Sequence, residues 1–145
     1  MKLSLVIPVY NEAHRLQKNI LQKITFLDSE QYNYEVIIVD DGSTDDTLAI
    51  AKKVTEAHIN VRILSHFPNQ GKGAAVRKGM LDAAGEQIFF TDADGSTPIE
   101  YISDMLLKFD TENADLVIGS RNLKESNREV PQPLWRQVLG KVGNV

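Results

Sequence analysis

Cysteine is absent from the 145 residues of this chain, which excludes disulfides, thiolate metal sites and cysteine nucleophiles. No apolar run approaches the roughly 20 residues that a membrane-spanning helix needs. The formal net charge is only −4, from 16 basic and 20 acidic residues, so we expect no nucleic-acid partner. A serine nucleophile elbow is also missing, which excludes that class of hydrolase.

Short apolar runs alternate with segments of helical periodicity along the chain. The runs that predict strands are residues 3–9, 35–39, 61–64, 87–91 and 115–120. Between the first two runs, helical spacing relates Leu16, Ile20, Ile24 and Leu27. We expect Ser43 or Thr44 to cap the second helix and Thr97–Pro98 to open the fourth. The alternation predicts an α/β fold, with a mainly parallel sheet covered by helices on both faces.

Polar clusters follow the predicted strands, at the edge where parallel sheets bind ligands. These clusters are residues 10–12, 40–41, 69–72, 92–94 and 120–121. Asp92 and Asp94 stand one residue apart, so on an extended chain both carboxylates can reach one point. Such a pair suits Mg²⁺, which proteins hold by one or two carboxylates together with substrate phosphates and water. The alternative is a structural one, in which Asp94 and Gly95 form a turn and Asp92 caps a helix.

The other clusters also allow two interpretations. Asp40 and Asp41 either form a strand-to-helix turn or accept hydrogen bonds from a ribose or base. The glycine-rich loop that contains Gly71 lacks P-loop spacing, but it precedes a helix N-terminus that favours anions. Lys72 and Arg77 either neutralise phosphate charge or lie on the solvated surface. The histidines are interpreted as structural or surface residues; they are His14, His58 and His66.

Five motifs together resemble the ordered motifs of family 2 inverting glycosyltransferases, which have the Rossmann-like GT-A nucleotide-diphospho-sugar transferase fold. The motifs are Val-Ile-Pro-Val-Tyr-Asn-Glu at 6–12, Val-Asp-Asp-Gly-Ser-Thr-Asp at 39–45, Asn-Gln-Gly-Lys-Gly at 69–73, Asp-Ala-Asp at 92–94 and Gly-Ser-Arg at 119–121. The resemblance covers nearly all of residues 3–121. Within the family, residues 71–77 and 94–98 look most like polyprenyl-phosphate sugar synthases of the dolichyl-phosphate glucose and mannose type.

The resemblance implies a role for each matching residue. The residues expected to contact the nucleotide sugar are Pro8, Tyr10, Glu12, Asp40, Asp41, Gly71, Lys72, Arg77, Asp92, Ala93 and Asp94. Asp92 and Asp94 are implied to hold Mg²⁺ or Mn²⁺ against the donor diphosphate. Arg121 is implied to lie near the acceptor phosphate, with Arg136 assisting it, so the catalytic set is Asp92, Asp94 and Arg121.

The resemblance also implies a reaction and its partners. A hexose would pass from a donor of the UDP-glucose or GDP-mannose type to an acceptor, with inversion of the anomeric carbon. The expected acceptor is a polyprenyl phosphate, which is already anionic and needs no strong general base. The alternatives are a polysaccharide or cell-surface glycan acceptor, or a fragment that binds nucleotide sugar without turnover. A receiver domain and a nucleotidyltransferase fit less well, because the loop after the first strand has neither an acidic pair nor a glycine-rich, arginine-containing sequence.

We expect two regions in this chain. Residues 1–121 are predicted to form the nucleotide-sugar-binding GT-A domain, and residues 122–145 a loop and amphipathic segment that begins the acceptor region of a longer protein. Residues 134–145 are basic and amphipathic, and they are expected to lie on a membrane surface or to pack on a neighbouring domain. We therefore expect a cytoplasmic location, at the cytoplasmic face of a membrane in the full-length protein.

Overall fold

A computed structural model of the protein describes residues 2–119. Its elements in chain order are β1 Leu3–Val9, α1 Leu16–Ser29, β2 Tyr34–Asp40, α2 Thr47–Ala57, β3 Val61–Ser65, α3 Lys72–Asp82, β4 Gln87–Phe90 and α4 Tyr101–Glu112. The chain divides after Ile102 into two compact units. All four strands, α1 to α3 and the loops between them belong to the first unit.

The four strands form one parallel sheet in the order β3-β2-β1-β4. The chain moves in one direction from β1 to β3 and then returns past β1 to β4. Because parallel crossovers are right-handed, this reversal places α1 and α2 on one face and α3 on the other. The predicted architecture, a parallel sheet with helices on both faces, is confirmed. The reversal also creates a topological switch point between β1 and β4, where sheets of this kind bind ligands.

Each face of the sheet has its own apolar core. Under α3, Val6, Ile37 and Val39 pack against Ala75. A Cβ atom at Gly79 would collide with Val6, so this glycine allows α3 to lie directly on the sheet. On the opposite face, α1 buries the predicted stripe of Leu16, Ile20, Ile24 and Leu27. Burying one large aliphatic side chain contributes about 1.5–3 kcal/mol, so these two cores fix the positions of the strand ends.

The predicted fifth strand is wrong for the residues that the structure describes. Residues 115–119 carry no strand, while Ser120 lies outside the described range. Leu116 and Ile118 are 72% and 73% exposed, so the run is not the buried strand that its apolar composition predicted. A run of five or six residues has too few side chains to distinguish a strand from an irregular segment by composition alone.

The predicted helix starts are also wrong, by a few residues. Helix α2 begins at Thr47 with Asp46 as its N-cap residue, because the side chains of Ser43 and Thr44 bond instead to Asn11. Helix α4 begins at Tyr101 rather than at Thr97–Pro98.

The apolar residues of α3 and of the segment around α4 differ in how deeply they are buried. In α3, Ala75 and Gly79 are buried, whereas Val76 and Met80 are half-buried. Ala83 follows the last residue of the helix and is also half-buried; like Met80, it packs against the core under α3. In and before α4, Ile99, Ile102 and Leu106 are buried, while Met105 and Phe109 are half-buried. None of the helices within residues 2–119 is both long and apolar enough to cross a membrane.

Candidate functional site

A cleft of about 410 Å³ opens at the carboxyl ends of β1 and β4, at the switch point of the sheet. Its walls are formed by Pro8, Val9, Tyr10, Glu12, Asp41, Asn69, Gly71, Lys72, Asp92, Ala93 and Asp94. Four segments that are far apart in sequence therefore meet at one place. The set contains every residue predicted to contact a nucleotide sugar except Asp40 and Arg77.

Asp41 ties the glycine-rich loop to the end of β2. One carboxylate oxygen accepts the backbone N–H of Gln70 at 2.9 Å and contacts Nδ1 of His66 at 2.8 Å, and the other accepts the N–H of Gly71 at 2.8 Å. Burial raises the pKa of the Asp41 carboxyl, but the hydrogen bonds from Gln70, His66 and Gly71 outweigh it, so the pKa lies below its ordinary value. Asp41 is therefore an ionised group that fixes one wall of the cleft.

Gly42 allows the glycine-rich loop to approach this closely. Its φ is +74°, and a Cβ atom there would lie 2.9 Å from the backbone nitrogen of Asn69. Any L side chain would meet both a strained backbone and a backbone collision. The Asp-Gly pair in the sequence thus positions the loop that contains Asn69 and Gly71.

The loop after β1 forms a second fixed wall. The N–H of Glu12 donates to the hydroxyl of Thr47 at 2.7 Å, and the N–H of Asn11 donates to the hydroxyl of Ser43 at 3.0 Å. The side-chain oxygen of Asn11 in turn accepts the N–H of Thr44 at 2.8 Å. The ring of Tyr10 is 47% exposed at the mouth of the cleft, where a planar ligand can stack on it.

The N-terminus of α3 points its positive end at the cleft. Gly71 is the N-cap residue with φ +90°, and Lys72 is the first helical residue. The Nζ of Lys72 lies 2.5 Å from a carboxylate oxygen of Asp92 across the cleft. A helix N-terminus beside an ammonium group favours phosphate groups.

Asp94 takes part in a turn, as the structural interpretation predicted, and also lines the cleft. Its carboxylate accepts the N–H of Ser96 at 2.8 Å. Burial raises the pKa of Asp94, but hydrogen bonds from Ser96 and the positive charges of Arg15 and Lys23 lower it below its ordinary value. The turn and the cleft role are compatible, because a carboxylate has further lone pairs for a ligand.

The remaining predicted residues are not among the cleft walls that the structure describes. Asp40 is buried, and among residues 2–119 its carboxylate accepts only long contacts of 3.4 Å, from the N–H of Ser43. Arg77 lines a second cleft, of about 500 Å³, between α3 and the loop that follows β3. Arg121 and Arg136, with the whole segment 122–145, lie outside the described residues. The roles assigned to these four residues stay predictions.

Two side chains organise the cleft in ways that the sequence did not reveal. His66 was interpreted as structural or surface; it is structural, and its partner is the cleft residue Asp41. Asn19 of α1 donates its side-chain N–H to the carbonyl of Ala93 at 2.7 Å, a contact between residues 74 positions apart. The available signal for Asn19 was its position on α1, next to the apolar stripe.

Fold and cleft together define an α/β domain of the GT-A class, with its ligand edge at the β1/β4 switch point. The chain belongs to glycosyl transferase family 2, whose family model matches residues 4–142. The resemblance predicted from the five motifs is thereby confirmed.

Curated relatives of the chain are named dolichyl-phosphate beta-glucosyltransferases. The protein of Drosophila melanogaster is 35% identical over an alignment of 151 positions, gaps included, that covers 96% of this chain and 46% of the relative. A protein of Trichomonas vaginalis is 33% identical over an alignment of 147 positions that covers 95% of this chain and 45% of the relative. The chain therefore spans less than half the length of these relatives.

Solved structures with the same fold contain nucleotide ligands. The structure of S. aureus TarS 1-349 in complex with UDP is 31% identical, with a TM-score of 0.64, and covers 91% of this chain and 38% of that one. The mannosyltransferase PcManGT from Pyrobaculum calidifontis, in complex with GDP-Man and Mn²⁺, is 30% identical with a TM-score of 0.57. That match covers 63% of this chain and 27% of PcManGT.

Proposed function

We propose that this chain is the donor-binding part of a glycosyltransferase that moves a hexose from a nucleotide-diphospho-sugar to a polyprenyl phosphate. The observation that carries the proposal is the cleft at the switch point, which joins fixed polar walls to a cationic helix N-terminus and an acidic pair. No single segment of the chain provides all three features.

The three parts of the cleft suit the three parts of a nucleotide sugar. The walls built on Tyr10 and Glu12 offer an aromatic surface and a carboxylate acceptor to a base and ribose, while Asp41 holds the facing loop in place. The α3 N-terminus and Lys72 offer donors and positive charge to a diphosphate. The sugar then extends towards the acceptor region, where Arg121 is expected.

Asp92 and Asp94 suit a divalent cation. Both carboxylates line one cleft, and the Lys72 ammonium at 2.5 Å from Asp92 is a cation already accommodated there. Within residues 2–119 no group of three or more His, Cys, Asp or Glu side chains is arranged to hold a metal ion. Mg²⁺ or Mn²⁺ held by two carboxylates would complete its coordination with phosphate oxygens and water. When bound, the cation supplies Lewis-acid stabilisation of the charge on the diphosphate.

The chain's own residues hold the reacting groups in place. An oxygen of the acceptor phosphate attacks the anomeric carbon, and the bond from that carbon to the donor diphosphate breaks from the opposite side. The attack inverts the anomeric carbon and releases the nucleoside diphosphate. Lys72 and the N–H groups of α3 stabilise the leaving diphosphate, and Arg121 and Arg136 are proposed to position the acceptor phosphate.

The names of the relatives support a lipid-phosphate acceptor. Relatives covering more than nine-tenths of the chain are dolichyl-phosphate beta-glucosyltransferases. Glucose on UDP is therefore the favoured donor, and GDP-mannose is the second candidate because PcManGT binds GDP-Man. A lipid-phosphate acceptor would place the full-length protein at a membrane, and we propose its cytoplasmic face.

Calorimetric titration of the chain with a panel of UDP- and GDP-sugars tests donor binding. We expect saturable binding of at least one nucleotide sugar in the presence of Mn²⁺ and much weaker binding in EDTA. If no nucleotide or nucleotide sugar binds with any dependence on metal, the proposal is wrong.

A second assay distinguishes the two acceptor classes and tests whether the isolated chain is active without the rest of the protein. The full-length protein is incubated with radiolabelled nucleotide sugar and either a polyprenyl phosphate or a glycan acceptor, and the isolated chain is assayed in parallel. We expect label on the polyprenyl phosphate. Label only on the glycan would support the alternative acceptor. Donor binding without transfer by the isolated chain would identify it as a binding fragment, because it spans less than half of its relatives.

A further inference from the structure

A polar stripe at the start of α1, formed by its N-cap residue Arg15 and by Asn19 and Lys23, lies next to the loop that carries the acidic pair. The spacing of four residues places Asn19 and Lys23 on one face of the helix. The Asn19 side chain donates to the carbonyl of Ala93 at 2.7 Å. A Cβ atom on Gly95 would lie 3.2 Å from the Asn19 side-chain oxygen, so the amide also packs against the turn. The loop is thus attached to α1 at its centre.

Lys23 is a buried cation in this stripe. The residue is only 4% exposed, and among residues 2–119 it forms no salt bridge or hydrogen bond. Burial lowers the pKa of its ammonium group, while attraction to Asp94, Asp92 and Glu100 opposes that effect. A buried ammonium without a direct partner is costly, so its presence beside the acidic loop requires an explanation other than packing.

Arg15 adds a second positive charge on the same side. Its guanidinium bonds to Glu12 in the cleft wall, with Nη2 at 2.9 Å from one carboxylate oxygen and Nε in contact with the other. Its charge also stabilises the ionised form of Asp94. With Lys72 at Asp92, three cations interact with the two carboxylates.

We propose that Lys23 is a positioning residue that tunes the acidic pair to accept a metal–diphosphate complex rather than a free metal ion. Asn19 fixes the loop by its backbone, and the Lys23 ammonium supplies positive potential from below. This potential repels a free divalent cation and attracts an anionic nucleoside diphosphate. The inference rests on the proposed function, since it concerns how the same cleft loads its ligands.

The proposal predicts effects of opposite sign for the two ligands. Neutralising one buried charge close to the site should change the affinity of a divalent ion by on the order of tenfold. Lys23→Met keeps the length and apolar stem of the side chain and removes the charge. We expect this variant to bind free Mn²⁺ about tenfold more tightly, and UDP in EDTA several-fold more weakly. Loss of a purely structural contact would weaken both.

The test is a pair of titrations on the 145-residue chain. Binding of free Mn²⁺ is measured by electron paramagnetic resonance, and binding of UDP in EDTA is measured by calorimetry. Lys18→Met is the matched control, because Lys18 is an exposed lysine on the same helix. The control should match the unmodified chain in both titrations. Opposite shifts for Lys23→Met support the proposal, and unchanged or parallel shifts overturn it.

Arg15→Met keeps the test decisive if Lys23→Met does not fold. The Arg15 side chain is 56% exposed, so its loss leaves the core intact. The same opposite shifts, of smaller size, are expected from it, and their absence in a folded Arg15→Met overturns the proposal.

If the unmodified chain binds neither Mn²⁺ nor UDP, the proposed function fails. If it binds both and the variants show no opposite shifts, only the role of Lys23 fails.

Discussion

Two carboxylate sites stand at opposite ends of the same sheet. Glu35 lies near the amino end of β2, and Asp92 and Asp94 follow the carboxyl end of β4. Both sites contain acidic groups near cations, but the surroundings of the acidic groups differ. The difference separates a carboxylate that holds the fold together from carboxylates that are available to a ligand.

The chain itself satisfies the carboxylate of Glu35. One oxygen accepts the hydroxyl of Ser4 at 2.7 Å and the N–H of Ala84 at 2.8 Å, and the other accepts Nε of Arg62 at 3.0 Å. Lys2 lies at 3.6 Å. Burial raises the pKa of Glu35, but these bonds outweigh it and lower the pKa to about 2. Three hydrogen bonds and two cations therefore engage this carboxylate.

Asp92 and Asp94 have fewer direct partners and more exposure. Asp92 pairs with the exposed Lys72, and Asp94 accepts the N–H of Ser96 in its turn. The remaining positive charge comes from Arg15 and Lys23 at longer range. These carboxylates keep free acceptor capacity in a cleft, as a ligand site requires, and they contribute little to folding.

The largest expected effect is the loss of stability when Glu35 is truncated. Glu35→Ala removes one buried carboxylate and leaves Ser4, Ala84 and Arg62 without their acceptor, so we expect the free energy of unfolding to fall by about 3–5 kcal/mol. Urea denaturation measures the change. The folded fraction should bind nucleotide sugar as the unmodified chain does. A loss below about 1 kcal/mol would contradict the structural role.

The stability of the fold should depend on pH through the ionisation of Glu35. The folded-state pKa of Glu35 is about 2, compared with an ordinary 4.5, so ionised Glu35 stabilises the fold fully above about pH 4.5. This contribution, about 3 kcal/mol, is lost as the pH falls from about 4.5 towards 2. Unfolding measured from pH 7 to pH 2 should show the decline, with Glu35→Gln as the variant that lacks it. Equal slopes for both chains would contradict the pKa assignment.

For the acidic pair Asp92 and Asp94 we expect a large loss of ligand binding and little loss of stability, the reverse of Glu35. Asp94→Ala should weaken binding of nucleotide sugar in Mn²⁺ on the order of 100-fold and abolish the dependence on metal. Its unfolding free energy should change by less than about 0.5 kcal/mol, because the side chain is exposed. Calorimetry and urea denaturation measure the two quantities, with Asp110→Ala, an exposed aspartate of α4, as control. Destabilisation like that of Glu35→Ala would erase the contrast between the two sites.

A smaller effect is expected at Lys72. Lys72→Met should weaken UDP binding about tenfold, because the diphosphate loses a charged partner beside the α3 N-terminus. Lys78→Met, on the same helix but outside the walls of the cleft, is the control. Calorimetric titration with UDP in Mn²⁺ compares the two variants, and equal affinities would remove Lys72 from the donor site.

The local sequence pattern was sufficient to predict the four strands of the sheet and most of the residues that line the cleft. Strand β1 has the predicted bounds Leu3–Val9, because a buried parallel strand is a continuous apolar run. The polar residues that follow such runs meet in one cleft, since parallel strands end at the same edge. The segment 115–119 could not be predicted in this way, because the composition of a short run does not report whether anything covers it.

Contacts across the fold lay beyond the sequence pattern. Asn19 reaches Ala93 across 74 positions, and His66 reaches Asp41 across 25. Their side chains give no periodic signal, because a single polar residue on a helix or loop is as compatible with solvent as with a partner. The motifs therefore identified the residues that line the cleft, and the structure identified the residues that hold those walls in place.

The most direct test of the account locates Mn²⁺ on the molecule. Amide signals of the isotope-labelled chain are recorded by nuclear magnetic resonance with UDP and substoichiometric Mn²⁺, which broadens the signals of nearby residues. We expect broadening at residues 70–72 and 92–96, with the signals of Glu35 and Ser4 at the other end of the sheet unaffected. Broadening centred on Glu35, or none at residues 92–96, would contradict it.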